Sequence, residues 1–234
     1  MSQVSHEFVA LAWNNLAQLI GAILLIVGAV LPVANPVGDA PLFLSMTLGC
    51  DRSTRADLAN RVAIYSFALL LGSMLLGTFV LRLFGLSIPF VQVAGGAVVC
   101  SLGWKLMTDD TKSSGVALDP SHARAIALGR AFYPLTLPLS IDAGVISVAI
   151  TVGANHAHTI GHEVIQLFAA IIGAAIIASV ILLTYRYAEP AGRRIGQTGM
   201  TILLRLSSFI TVCIGVSIAW NGIRALLAEA GIGN

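Results

Sequence analysis

Six stretches of this chain are apolar for long enough to cross the roughly 30 Å hydrocarbon core of a bilayer at about 1.5 Å per helical residue. They lie near 17–49 (interrupted in the middle), 62–83, 88–107, 131–153, 164–185 and 201–227. In lipid every backbone N–H and C=O must find a partner inside the protein, so only helices or a closed barrel can span, and runs of this length choose helices. Of the 234 residues only 10% are charged against 57% hydrophobic, too few charges for a soluble domain outside the spans. The expected fold is an all-α integral membrane protein, a single transmembrane domain over 1–234 with six transmembrane helices. "MSQVSHEF" carries no Lys or Arg ahead of the first apolar run, so that run reads as a retained span rather than a cleaved signal.

The polar connections 50–61, 108–130 and 186–200 fall on one side of such a bundle. The termini, 84–87 and 154–163 fall on the other. Arg52, Arg55, Arg61, Lys105, Lys112, Arg124, Arg130, Arg186, Arg193, Arg194 and Arg205 border the first set, and only Arg82 and Arg224 border the second. Eleven cations against two place the first set in the cytoplasm and both termini outside. Cys50, Cys100 and Cys213 form no CxxC and read as small apolar residues.

Three spans per half would make a duplicated half insert upside down. "DAP" (39–41) recurs as "DAG" (142–144), "FALLLGSMLLG" (67–77) as "FAAIIGAAIIA" (168–178), and "VVC" (98–100) as "TVC" (211–213), in the same order. The expectation is two inverted three-helix repeats, about 17–107 and 131–227, joined by the cytoplasmic connection 108–130. Interrupted spans at matching places in inverted repeats point to the central site of a transporter.

The interruptions are plain. Pro36 and Pro41, with Gly38, break the first span; Pro134 and Pro138, with Gly144, break the fourth. Asp39 stands twelve residues before Asp51, and Asp142 twelve after Arg130. Counted as helix, both carboxylates are about 18 Å from the cytoplasmic edge, near the midplane. A charge there costs about 2.5–3.5 kcal/mol on insertion scales and marks a functional site. Two carboxylates at one depth repel each other as anions, which points to proton coupling or cation binding. A structural alternative is that both aspartates cap the half-helices that follow them.

Asn35, Ser45 and Thr47 flank the first break, and Thr136, Ser140 and Ser147 the second; with freed half-helix amides they could hold a substrate carboxylate, or simply hydrogen-bond between helices. Gln92 and Asn221 are the polar outliers of spans three and six. Thr54 and Asp57 have capping-box spacing for span two. Gly96, Cys100 and Gly103, and Ala169 and Gly173, form small-residue seams for close helix packing. His156, His158 and His162 cluster in an outer connection where a metal is one reading and simple solvation the other; no HExxH is present.

Several stretches resemble the MarC family, six-span proteins also grouped as neutral amino-acid transporters. They are "LPVANP" (31–36), "PLFLSMT" (41–47), "FGLSIPFVQVAGG" (84–96), "PLTLPLSIDAGVI" (134–146) and "RLSSFITVCIGVSIAWNGI" (205–223). The resemblance implies transport of small solutes, neutral amino acids foremost, in a bacterial inner membrane with both termini outside. Asp39 stands where many relatives are uncharged, and Asp142-Ala-Gly where they have Gly-Pro-Gly, so this chain adds acids that favour a cationic substrate or coupling ion.

The expected function is a secondary transporter whose substrate site comprises Asn35, Gly38, Asp39, Ser45, Thr47, Thr136, Ser140, Asp142, Gly144 and Ser147. The alternative is a cation or metal-ion exporter or channel using the same aspartates. No GxxxxGK[ST] is present, so an ion gradient is the energy source. An intramembrane aspartyl protease is the remote alternative, because the chain reads "PVGD" and "LSID" and has no GxGD. No enzymatic activity, cofactor or nucleic-acid partner is expected. The partners are a small solute or ion and membrane lipid, and a homo-oligomer is compatible with the sequence.

Overall fold

The computed structural model describes residues 2–47, 49–108, 120–154 and 160–231, and every described element is helical. In chain order these are α1 (Ser2–Ala34), α2 (Pro36–Met46), α3 (Arg52–Leu83), α4 (Ile88–Thr108) and α5 (Pro120–Gly129). A wide i→i+5 segment (Ala131–Ser140), α6 (Ala143–Ala154) and α7 (Ile160–Glu229) follow. Gly196 (φ 77, ψ 172) divides α7 into two arms, Val164–Gly196 and Thr201–Glu229. Only glycine adopts that backbone without strain, so it turns the chain where no loop exists. The connection expected over 186–200 is accordingly helical apart from this one residue.

Five described helices are long and apolar enough to cross a membrane: Trp13–Ala34, Arg52–Leu83, Ile88–Lys105 and the two arms of α7. The wide segment and α6, bent by 70° at Ile141–Asp142, make a sixth span if the pair counts as one. Large apolar side chains cover the outside, among them Leu24, Phe79, Leu83 and Ile202. Lipid tails are as apolar as leucine, so such a surface carries no penalty. Trp13, Tyr133, Trp104, Tyr187 and Trp220 are also exposed, residue types enriched where membrane meets water.

Local chemistry fixes the ends. Asp51 caps α3 by accepting the Thr54 amide at 3.3 Å. The cap therefore lies three residues ahead of the Thr54–Asp57 box read from the sequence, and Asp57 instead accepts Arg124 Nη2 at 2.6 Å. Hydroxyl and amide donation from Ser53 and Thr54 lowers the Asp51 carboxyl to about 2. At the other end, Gly85 (φ 63) closes α3, with Leu86 N–H donating to Leu81 O at 2.8 Å and Gly85 N–H to Arg82 O at 3.1 Å, a Schellman turn.

Small residues set the packing. A Cβ on Gly96 would stand 2.5 Å from Ala219 N and Gly215 O, and one on Gly103 2.9 Å from Ser208 O, so α4 and the second arm of α7 approach backbone to backbone. Gly173 takes Ile26 of α1, and Gly77 takes Ile150 of α6. The expected seams at 96–103 and at Gly173 are both present. Cys50 and Cys100 are half-buried, whereas Cys213 faces outward.

The charged connections meet at one end. Arg124 reaches Asp57, joining the connections after the first and third spans. Arg55 pairs with Glu189, which also pairs with Arg193, joining the first connection to that after the fifth span. This gathering is what the charge asymmetry anticipates.

Candidate functional site

The first break rests on one residue. Asn35 takes a left-handed conformation (φ 41, ψ 52), which asparagine tolerates better than most side chains. Its Oδ1 accepts the Gly38 amide at 3.3 Å, and Pro36 sits at the first helical position, where its missing N–H costs nothing. A Cβ on Gly38 would collide with the Asn35 amide group, so the glycine is sterically required. Asp39 lies one turn into α2, 7% exposed, and its carboxylate accepts no hydrogen bond from the described residues.

The second break is built differently. The wide segment departs from helical dihedrals at Tyr133 (φ −121, ψ 125) and Leu137 (φ −111, ψ 122), each immediately before a proline. The residue before a proline is pushed toward extended backbone, which accounts for both departures. Thr136 Oγ1 and Ser140 Oγ each donate at 2.7 Å to the carbonyl five residues back, Ala131 O and Leu135 O. Because this segment is no α-helix, the 1.5 Å rise does not apply to it, and the depth worked out for Asp142 by that rise has no basis.

Asp142 caps α6. Its Oδ1 accepts the Val145 amide at 2.7 Å. Of the two aspartates, then, only Asp142 takes the capping role; at the first break that role belongs to Asn35. Asn35 thus stands to α2 as Asp142 stands to α6, each accepting an amide three residues on.

Both breaks open on one small cavity. Val33, Ala34, Asn35 and Asp39 wall it from the first span; Pro138, Leu139 and Asp142 from the fourth; Val99 and Leu102 from α4; Thr211 and Ile214 from the second arm of α7. Asp39 lies near enough to Asp142 to feel its charge. The cavity measures about 20 Å³, room for one water rather than for an amino acid.

Among the other expected site residues, most hydroxyls are committed to backbone. Ser45 donates to Leu42 O and Ser147 to Ala143 O, both at 2.8 Å. Thr47 donates to Phe43 O at 2.8 Å and accepts from Arg55 Nε at 3.2 Å, while Arg55 Nη2 bonds Thr47 O and Cys50 O. Thr47 thus belongs to an anchor at the charged end of α2, away from the cavity. Gly144 packs on Ile218. Neither Pro36, Pro41 nor Pro134 lines the cavity. Gln92 packs against Gly222, and Asn221 faces outward. His156, His158 and the side chain of His162 lie outside the described residues; among these no cluster of three or more His, Cys, Asp or Glu is present.

Two residues outside the expected set join the site. Tyr185, fully buried on the first arm of α7, stacks on Phe43 of α2 (centroids 4.3 Å, 12°) and shares a 2.8 Å hydrogen bond with Ser140. It therefore links the two broken spans and feels the charge of Asp39. A tyrosine three-quarters along an apolar span was the available signal, since a buried phenol needs a partner. Thr211 is the other, in the weak "TVC" repeat.

Residues 20–227 match the family model described as MarC family integral membrane protein. The chain is 26% identical over 195 residues to UPF0056 membrane protein YvbG of Bacillus subtilis, covering 83% of this chain and 90% of that one. It is 28% identical over 208 residues to UPF0056 inner membrane protein MarC of Citrobacter koseri (84% and 91%), and 26% over 204 to the protein of that name in Salmonella typhimurium (84% and 91%). No solved structure matches.

Proposed function

The chain belongs to the MarC family of integral membrane proteins, and on that premise we propose that it is a secondary transporter of small solutes, amino acids foremost. Its central site lies where the two broken spans meet, and a proton or cation is coupled through Asp39 and Asp142. The observation that carries this reading is the convergence of both breaks, from opposite ends of the sequence, on one cavity walled by two buried carboxylates. Structural spans have little reason to hold an acid there, given its cost in lipid.

The cavity is too small for an amino acid, so transport requires the halves to part. The packing supports an inverted duplication that would do this. The first arm of α7 touches both halves of the first broken span, through Ile26–Gly173 and Phe43–Tyr185. In turn α3 touches both halves of the other, through Tyr65–Phe132 and Gly77–Ile150. Exchanging the two halves maps one set of contacts onto the other, and α4 with the second arm of α7 maps onto itself. Rocking of one repeat against the other about a fixed central site is the motion such symmetry permits.

The relatives named as inner membrane proteins support an inner-membrane location in bacteria, and the charge asymmetry supports termini outside. A cation exporter or channel is the second reading, favoured by the water-sized cavity between two acids. An aspartyl protease fits less well, because Asp142 is engaged by the Val145 amide and a dyad needs both carboxyls free to share a proton. Uptake of radiolabelled alanine, glycine and lysine into proteoliposomes separates the readings. Saturable amino-acid uptake supports the carrier, cation flux without it supports the exporter, and neither would discard both.

A further inference from the structure

We propose that the cavity between the two breaks is a binding site for one small monovalent metal cation, of sodium or lithium size, held by Asp39, Asp142 and Thr211. The proposal rests on the transport reading and names its coupling ion. The aspartates are not equivalent. Asp142 spends Oδ1 on the Val145 amide at 2.7 Å, and the N-terminus of α6 stabilises its charge, leaving its second oxygen for a ligand. Asp39 has no such support among the described residues: it is 7% exposed, its carboxylate accepts no hydrogen bond from them, and it lines the cavity. A carboxylate in that setting requires a counter-charge. One unsupported negative charge selects a monovalent ion over a divalent one.

Thr211 supplies a neutral oxygen. Its hydroxyl proton is committed to Ser207 O at 2.9 Å, so toward the cavity the oxygen can only accept. Two carboxylate oxygens and a hydroxyl suit a hard cation, and a soft metal would find no thiolate or imidazole there. Size decides between cation and proton. A proton on Asp39 would need neither a cavity of about 20 Å³ nor a threonine in its wall.

The test is thermal unfolding of the purified full-length protein in detergent, titrated with sodium, lithium, potassium or choline chloride at constant ionic strength. Sodium or lithium should raise Tm saturably, and potassium and choline should not. Asp39→Asn should abolish the shift. Thr211→Val should weaken half-saturation by about tenfold, as expected for losing one polar ligand to a charge, and Thr211→Ser should restore it. Each variant is scored against its own choline baseline, so a change in folding alone does not count. Equal Tm in sodium, lithium and choline overturns the proposal, as does Thr211→Val with wild-type half-saturation. A pH-dependent shift that Asp39→Asn removes, with no alkali-cation effect, replaces the cation by a proton. Proteoliposome uptake separates this proposal from the function it rests on. Amino-acid flux indifferent to sodium and lithium overturns the cation alone, whereas cation binding without amino-acid flux leaves the site and overturns the transport reading.

Discussion

Replacing Asp142 separates its two roles, because asparagine and aspartate cap helices about equally well and differ in charge. Asp142→Ala removes the acceptor of the Val145 amide at a position that is 8% exposed. Loss of a cap costs about 1 kcal/mol, and a buried amide left without water costs about 1–3 kcal/mol, so the expected loss is about 2–4 kcal/mol. For a chain of this length that lowers Tm by roughly 5–15 °C. Asp142→Asn keeps an oxygen at the same place and should stay within about 1 kcal/mol of wild type. Differential scanning fluorimetry in detergent reads both. If Asp142→Asn falls as far as Asp142→Ala, the charge rather than the cap stabilises the break; if neither falls, the cap contributes nothing.

Arg55→Met should destabilise by about 1–3 kcal/mol, because it takes one of the two arginine partners of Glu189 and frees the Thr47 and Cys50 carbonyls; the same fluorimetry checks it. Asn35→Val should cost about 2–3 kcal/mol, from left-handed strain plus a lost cap, whereas Asn35→Gly should lose well under half of that by the same assay. Gly96→Val should prevent α4 from seating on the second arm of α7, read as loss of the monodisperse peak in size-exclusion chromatography. The Asp51 carboxyl is lowered in the folded protein to about 2 from an ordinary 3.8. Its contribution is therefore complete above 3.8 and lost as pH falls toward 2, so Asp51→Ala should flatten the pH dependence of Tm in that window only.

The architecture was legible because it follows from solvent. Spans needed only length and apolarity, and the Arg-rich connections that the charge rule put on one side are joined by Arg55–Glu189 and Arg124–Asp57. The breaks were legible too, since proline leaves no ambiguity about a missing donor. What sequence did not carry was which way side chains turn. Ser45, Thr136 and Ser147 look like ligands in a string of letters, yet each bonds a carbonyl of its own segment. Asp39 and Asp142 share a type and a flank, but only three-dimensional register shows one capping a helix and the other standing alone. Tyr185 is 146 residues from Asp39 in the chain, and Thr211 is 172 away, so no local pattern could bring them to it.

Charge movement in proteoliposomes on a solid-supported membrane tests the central claim most directly, comparing wild type with Asp39→Asn during jumps in alanine or glycine concentration. The account predicts a transient current in wild type that depends on the amino acid and disappears in Asp39→Asn, while the variant keeps the wild-type elution profile. A current of equal size in Asp39→Asn would contradict it, because the break would then carry transport without its carboxylate.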